Sequence, residues 1–127
     1  MTTRSRLLTG LTLSALLGLG ASSALAGGWA TTTVDPLDGP PRAGDRTLVG
    51  YTIRQHGVTP VRLERTGIEI RRGARRAFFP GRPSGPTGHY VAKVTFPAAG
   101  AWTWSARQDR FAPYDLGTVG VRPLASR

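Results

Sequence analysis

The sequence predicts an all-β protein: a single immunoglobulin-like antiparallel β-sandwich of about seven strands, preceded by a signal peptide. Three observations lead there. Apolar and polar residues alternate over short runs, Gly and Pro fall mostly between those runs, and no helical period of any length follows the leader. The clearest alternation is Tyr90, Ala92, Val94 and Phe96, followed across the corner Pro97-Ala98-Ala99-Gly100 by Trp102 and Trp104. These six side chains are expected to face one core, with Thr103 and Ser105 outward.

In chain order, residues 1–26 read as a signal peptide. Arg4 and Arg6 make a positive start, Leu7 to Gly20 an apolar stretch, and Ala24-Leu25-Ala26 a small-x-small cleavage site. The apolar stretch falls short of the ~20 residues a spanning helix needs, and Ser5 separates the two arginines, so no twin-arginine signal is read. The expected product is a domain over 27–127, periplasmic or extracellular, with no retained membrane span. Trp29 to Asp35 is β-branched and stops at Pro36. Thr47 to Gln55 turns Val49, Tyr51 and Ile53 inward, and His56-Gly57 ends it. Thr66 to Arg72 turns Ile68 and Ile70 inward, and Arg75 to Phe79 closes at Pro80. Gly81 to Gly88, with Gly and Pro in more than half its positions, is predicted as loop. Strands are predicted over 89–96 and 101–107, a loop from Gln108 to Asp115, and a last strand from Leu116 to Val121.

The chain contains no Cys, which excludes a disulfide framework, thiolate chemistry and Cys-ligated metal. Its one Met is the initiator, so thioether copper ligation is excluded too. Stability must then come from apolar packing, with the paired tryptophans as its main source. Two of the 17 basic residues lie in the leader, leaving 15 against seven acids, a formal charge of about +8. Such a charge attracts anionic envelope polymer, phospholipid headgroups or nucleic acid, or simply solvates the surface. Export makes nucleic acid the least fitting partner.

Two constellations could carry chemistry. His56, closing one strand, and His89, opening another, are expected at the same end of neighbouring antiparallel strands. With Asp109 or Asp115 from the last loop they would form an open site for copper or zinc. Flanking histidines and turn aspartates without metal are the alternative. The run Arg71-Arg72-Gly73-Ala74-Arg75-Arg76 would set four guanidiniums around a hairpin turn, suited to phosphate or carboxylate. Charged edge strands that block aggregation are the alternative there. Catalytic patterns are weak. No serine lies in a Gly-x-Ser-x-Gly elbow, and Glu64 and Glu69 sit on or near one strand rather than across a cleft. The Gly-rich stretch 81–88 lacks a following Lys-Ser/Thr and a helix. The reading is a non-enzyme.

The pattern Gly88-x-Tyr90-x-Ala92-x-Val94-x-Phe96-Pro97-x-x-Gly100-x-Trp102, preceded by Gln55-His56-Gly57-x-x-Pro60-Val61, resembles the YtkA-like/FixH-like group of exported immunoglobulin-like domains. The resemblance covers most of residues 28–121 and rests on turn glycines, a proline corner and core aromatics. It implies the sandwich fold. FixH-type relatives are associated with copper supply and assembly of respiratory oxidases, which the resemblance implies as a context for His56. This chain departs from FixH in having no Met or Cys in its mature part and no expected anchor. The functional expectation is an exported, non-catalytic binding or interaction module of the cell envelope, with an envelope protein or anionic polymer as partner. The alternative is a metal-handling accessory domain using His56 and His89.

Overall fold

Alternating runs with small or proline-rich breaks become strands, as their period requires. The computed structural model describes residues 28–125, so the leader expected over 1–26 lies outside the described residues. The strands are β1 (Ala30–Val34), β2 (Arg46–Gln55), β3 (Thr59–Pro60), β4 (Thr66–Arg72), β5 (Arg75–Pro83), β6 (His89–Thr95), β7 (Gly100–Gln108) and β8 (Phe111–Val121). No helix occurs among the described residues, and hence none long and apolar enough to cross a membrane.

The hydrogen-bonded order is β1-β2-β6-β5-β4-β7-β8, all antiparallel, with β3 added to β2. The sheet becomes two layers because β5 changes partner midway. Its Arg75–Pro80 half pairs with β4, and Gly81–Pro83 pairs with β6. One layer is β1-β2-β6 plus the end of β5; the other is the start of β5 followed by β4-β7-β8. On the far side β1 approaches β8, so the sandwich is nearly closed into a barrel. The predicted all-β antiparallel sandwich is the observed fold.

The inward faces are those the alternation predicts. Val49, Tyr51, Ile53, Ile68, Ile70, Tyr90, Val94 and Phe96 are buried, and Trp102 is 1% exposed. Phe96 meets Trp102 edge-on at 5.9 Å between ring centroids and lies 6.5 Å from Trp104. The indole nitrogens donate to the carbonyls of Ala98 (2.9 Å) and Leu116 (3.2 Å), so burial leaves neither polar atom unpaired. An aromatic side chain of this size hides about 150–250 Å², on the order of 4 kcal/mol per indole. Residue for residue, this pair is the largest apolar contribution in the core.

Three segments differ from the sequence reading. β5 continues through Pro80 to Pro83 where a loop is predicted from Gly81, because the chain crosses between sheets there rather than leaving them. The loop predicted over 108–115 shrinks to a turn at Asp109 and Arg110, and β8 begins at Phe111. Asp109 accepts the left-handed backbone that the turn needs (φ 53°). Pro113 fits inside β8 because that strand ends its layer and its register to β7 is broken by irregularities. Finally, Thr59 and Pro60, past the predicted strand end at His56-Gly57, form the short β3.

Candidate functional site

The sequence reading gathers His56, His89 and Asp109 at one end of the sandwich; the structure gives each different partners. His89 stands opposite Thr52 in the β2–β6 ladder. His56 lies beyond the end of β2, in a left-handed turn, with its ring 5.5 Å from that of Trp29. Thr52 to Gln55 alone is three strand steps, about 10 Å. The His89 ring reaches away from that end, toward Asp35 just past β1. The register therefore does not bring the imidazoles together, and no three His, Cys, Asp or Glu side chains group for a metal ion among the described residues.

Each of these residues has a local role. His89 Nε2 is 2.7 Å from Asp35 Oδ2, and its Nδ1 is 2.6 Å from the Ser84 carbonyl. Both partners only accept hydrogen bonds, so the ring satisfies both when it is an imidazolium. Its pKa is accordingly raised, first by the bond to Asp35 and then by the Ser84 carbonyl, with burial opposing. Asp109 Oδ2 accepts the backbone N–H groups of Glu64 and Arg65, each at 3.2 Å, and so clasps the segment before β4 to the β7–β8 turn. Asp115 Oδ1 accepts the Gly117 N–H at 2.8 Å, holding the bulge in β8.

The arginine run does form a hairpin. Gly73, at φ 60°, occupies the first position of the two-residue turn between β4 and β5, where a type II′ turn needs it. The register pairs Arg71 with Arg76 and Arg72 with Arg75, all four exposed. Directly paired residues share a face, so the four guanidiniums are divided two and two rather than converging. Arg72 turns to the other side of the sheet and donates to the Ala99 carbonyl. Arg71 and Arg76 stand on the outer face of the β5-β4-β7-β8 layer, with Glu69.

That outer face holds residues the sequence reading did not single out. Glu69 is 8% exposed, and its Oε2 accepts from Arg107 Nη2 at 3.0 Å, with Arg76 Nε at 4.0 Å. Phe78 is 46% exposed. Its ring lies across Gly67, where any Cβ would overlap the ring and the Phe79 carbonyl. The Arg107 guanidinium is 5.5 Å from the Phe78 ring centroid, within cation–π range. A depression of about 500 Å³ lies beside them, lined by Arg65, Phe78, Pro80, Arg107 and Asp109 among others. A second, of about 400 Å³, is lined by Glu69, Arg71, Thr103, Ser105, Pro113 and Asp115. The outward parity of Glu69, Arg71 and Arg107 was readable. That β4 lies between β5 and β7, which brings Phe78, Glu69 and Arg107 together, was not.

The class this geometry defines is an antiparallel β-sandwich with a guanidinium-rich outer sheet face. No protein-family model matches the chain, and no curated protein matches it in sequence.

Proposed function

We propose that this protein is an exported, non-catalytic interaction module of the cell envelope that binds an anionic partner on its β5-β4-β7-β8 face. The supporting observation is the cluster of Arg71, Arg76 and Arg107 around the Glu69 carboxylate, with Asp115 lining the same depression as Arg71. Glu69 holds Arg107 in place through one of five guanidinium N–H groups, leaving donors free for a second carboxylate or a phosphate. The about +8 charge of the mature chain adds long-range attraction of the same sign. The YtkA-like/FixH-like resemblance belongs to this proposal, for its exported sandwich context alone. A copper or zinc role would require His89 to leave Asp35 and Ser84, and no observation favours it.

The test is binding of the purified protein to polyphosphate and to polyglutamate in low and high salt. Binding should fall steeply as ionic strength rises from about 0.05 to about 0.5 M, where screening shortens the reach of surface charge. Replacing Arg71→Glu and Arg76→Glu together should remove most of it. Salt-insensitive binding, or none, would rule the reading out.

A further inference from the structure

The free edge of β5 runs beside this arginine cluster. A two-residue hairpin closes on a hydrogen-bonded pair, so Arg72–Arg75, Ile70–Ala77 and Ile68–Phe79 exchange backbone bonds. Arg76 and Phe78 alternate with them and aim their N–H and C=O groups away from β4. On that side β5 pairs with β6 only from Gly81 onward. Neither Arg76 nor Phe78 has another backbone partner among the described residues. The opposite margin of the fold differs, since β1 and β8 approach each other there. The edge is short: Pro80 has no N–H and ends it.

We infer that this edge accepts an extended, acidic polypeptide segment as an added β-strand, with Arg76, Arg107 and Phe78 reading its side chains. The inference rests on the anion-binding reading and narrows its partner to protein. Free peptide N–H and C=O groups at strand spacing are satisfied in register only by another backbone. A strand paired there would place alternate side chains on the outer face, beside Arg76 and Phe78. Arg76 is exposed, and its contact with Glu69 is long (4.0 Å) while the same oxygen is held by Arg107 at 3.0 Å, so its guanidinium keeps donors for an acidic residue. Phe78, fixed over Gly67 and bordering the larger depression, selects an apolar residue two positions away. The segment recognised is acid-x-apolar. Edge arginines also deter uncontrolled pairing between copies, which fits a partner distinguished by its negative charge.

The test uses a peptide of about eight residues repeating Asp-Thr-Val-Thr, which sets Asp and Val two positions apart on one face, with polyphosphate of equal charge as the competing polyanion. Titration calorimetry gives affinity, and amide exchange by NMR reads the Arg76 and Phe78 N–H groups. The peptide should bind and protect those two amides. Phe78→Pro should weaken it about tenfold by deleting an edge donor, more than Phe78→Ala, which keeps the N–H. Polyphosphate binding should be unchanged in Phe78→Pro. If that variant misfolds, amide protection in the unaltered protein still decides. Binding of peptide without protection of the two amides, or equal binding by the unaltered protein and a folded Phe78→Pro, overturns strand addition and leaves the anion-binding reading. Absence of salt-sensitive binding to either probe overturns both.

Discussion

His89 ties three segments with one ring: the start of β6, the Asp35 carboxylate after β1, and the Ser84 carbonyl before the 85–88 turn. The space between them exists because Gly50 has no side chain; a Cβ there would overlap the Asp35 carboxylate. The folded pKa of His89 is raised above its ordinary value of about 6.5. Its contribution to stability is therefore fully present below about pH 6.5 and is lost as pH rises through the folded pKa. The prediction is that His89→Gln destabilises the protein more at about pH 5.5 than at about pH 9, measured as urea midpoints. Equal destabilisation at both values would show that the ring is not held as an imidazolium. The sequence placed His89 at the head of a strand, and that is where it is. Its partner lies 54 positions earlier in the chain, a pairing fixed by the β2–β6 register, so no local pattern announces it.

At the scale of the element, β5 shows where local reading stops. Phe79-Pro80-Gly81 reads as the end of a strand, since Pro removes a donor and Gly weakens pairing. Here those two properties let the strand change layers. Pro80 stands where β5 leaves β4, and Gly81 passes so close to Tyr51 that a Cβ would overlap the phenol oxygen. The Tyr51 hydroxyl is already committed. It shares a buried hydrogen bond of 3.0 Å with Thr66, its ring stacks on Tyr90, and desolvation foremost pushes its pKa up to about 12. Gly81→Ala is thus expected to cost about 1–3 kcal/mol, the usual penalty for overpacking a core. A denaturation midpoint unchanged by that substitution would mean the crossing is looser than its geometry implies. The free edge upstream follows from the same crossing, because a strand that moves to the other layer leaves its first half unpartnered on one side.

Across the whole molecule, closure depends on a polar residue. Gln108 is 1% exposed, at the end of β7. Its Oε1 accepts from Thr32 Oγ1 at 2.6 Å, and its Nε2 donates to the carbonyls of Ala30 (3.0 Å) and Ala112 (2.8 Å). It thereby joins β1 of one layer to β7 and β8 of the other, where no backbone ladder does among the described residues. Gln108→Ala leaves the buried Thr32 hydroxyl and Ala30 carbonyl without that partner, at about 1–3 kcal/mol for each one left unsatisfied. Faster amide exchange confined first to β1 is the accompanying signature, and exchange spread evenly over all strands would argue against this role. The sequence by itself determined the centres of the main strands, which faces are apolar, that β-structure prevails and that the chain is basic, because period and composition are local properties. Strand neighbours and register were decided only in three dimensions. They follow from the total burial around Trp102 and Trp104 and from the crossing of β5. They alone sent His89 to Asp35 rather than to His56, brought Phe78, Glu69 and Arg107 from three strands onto one face, and left the edge at Arg76 and Phe78 open.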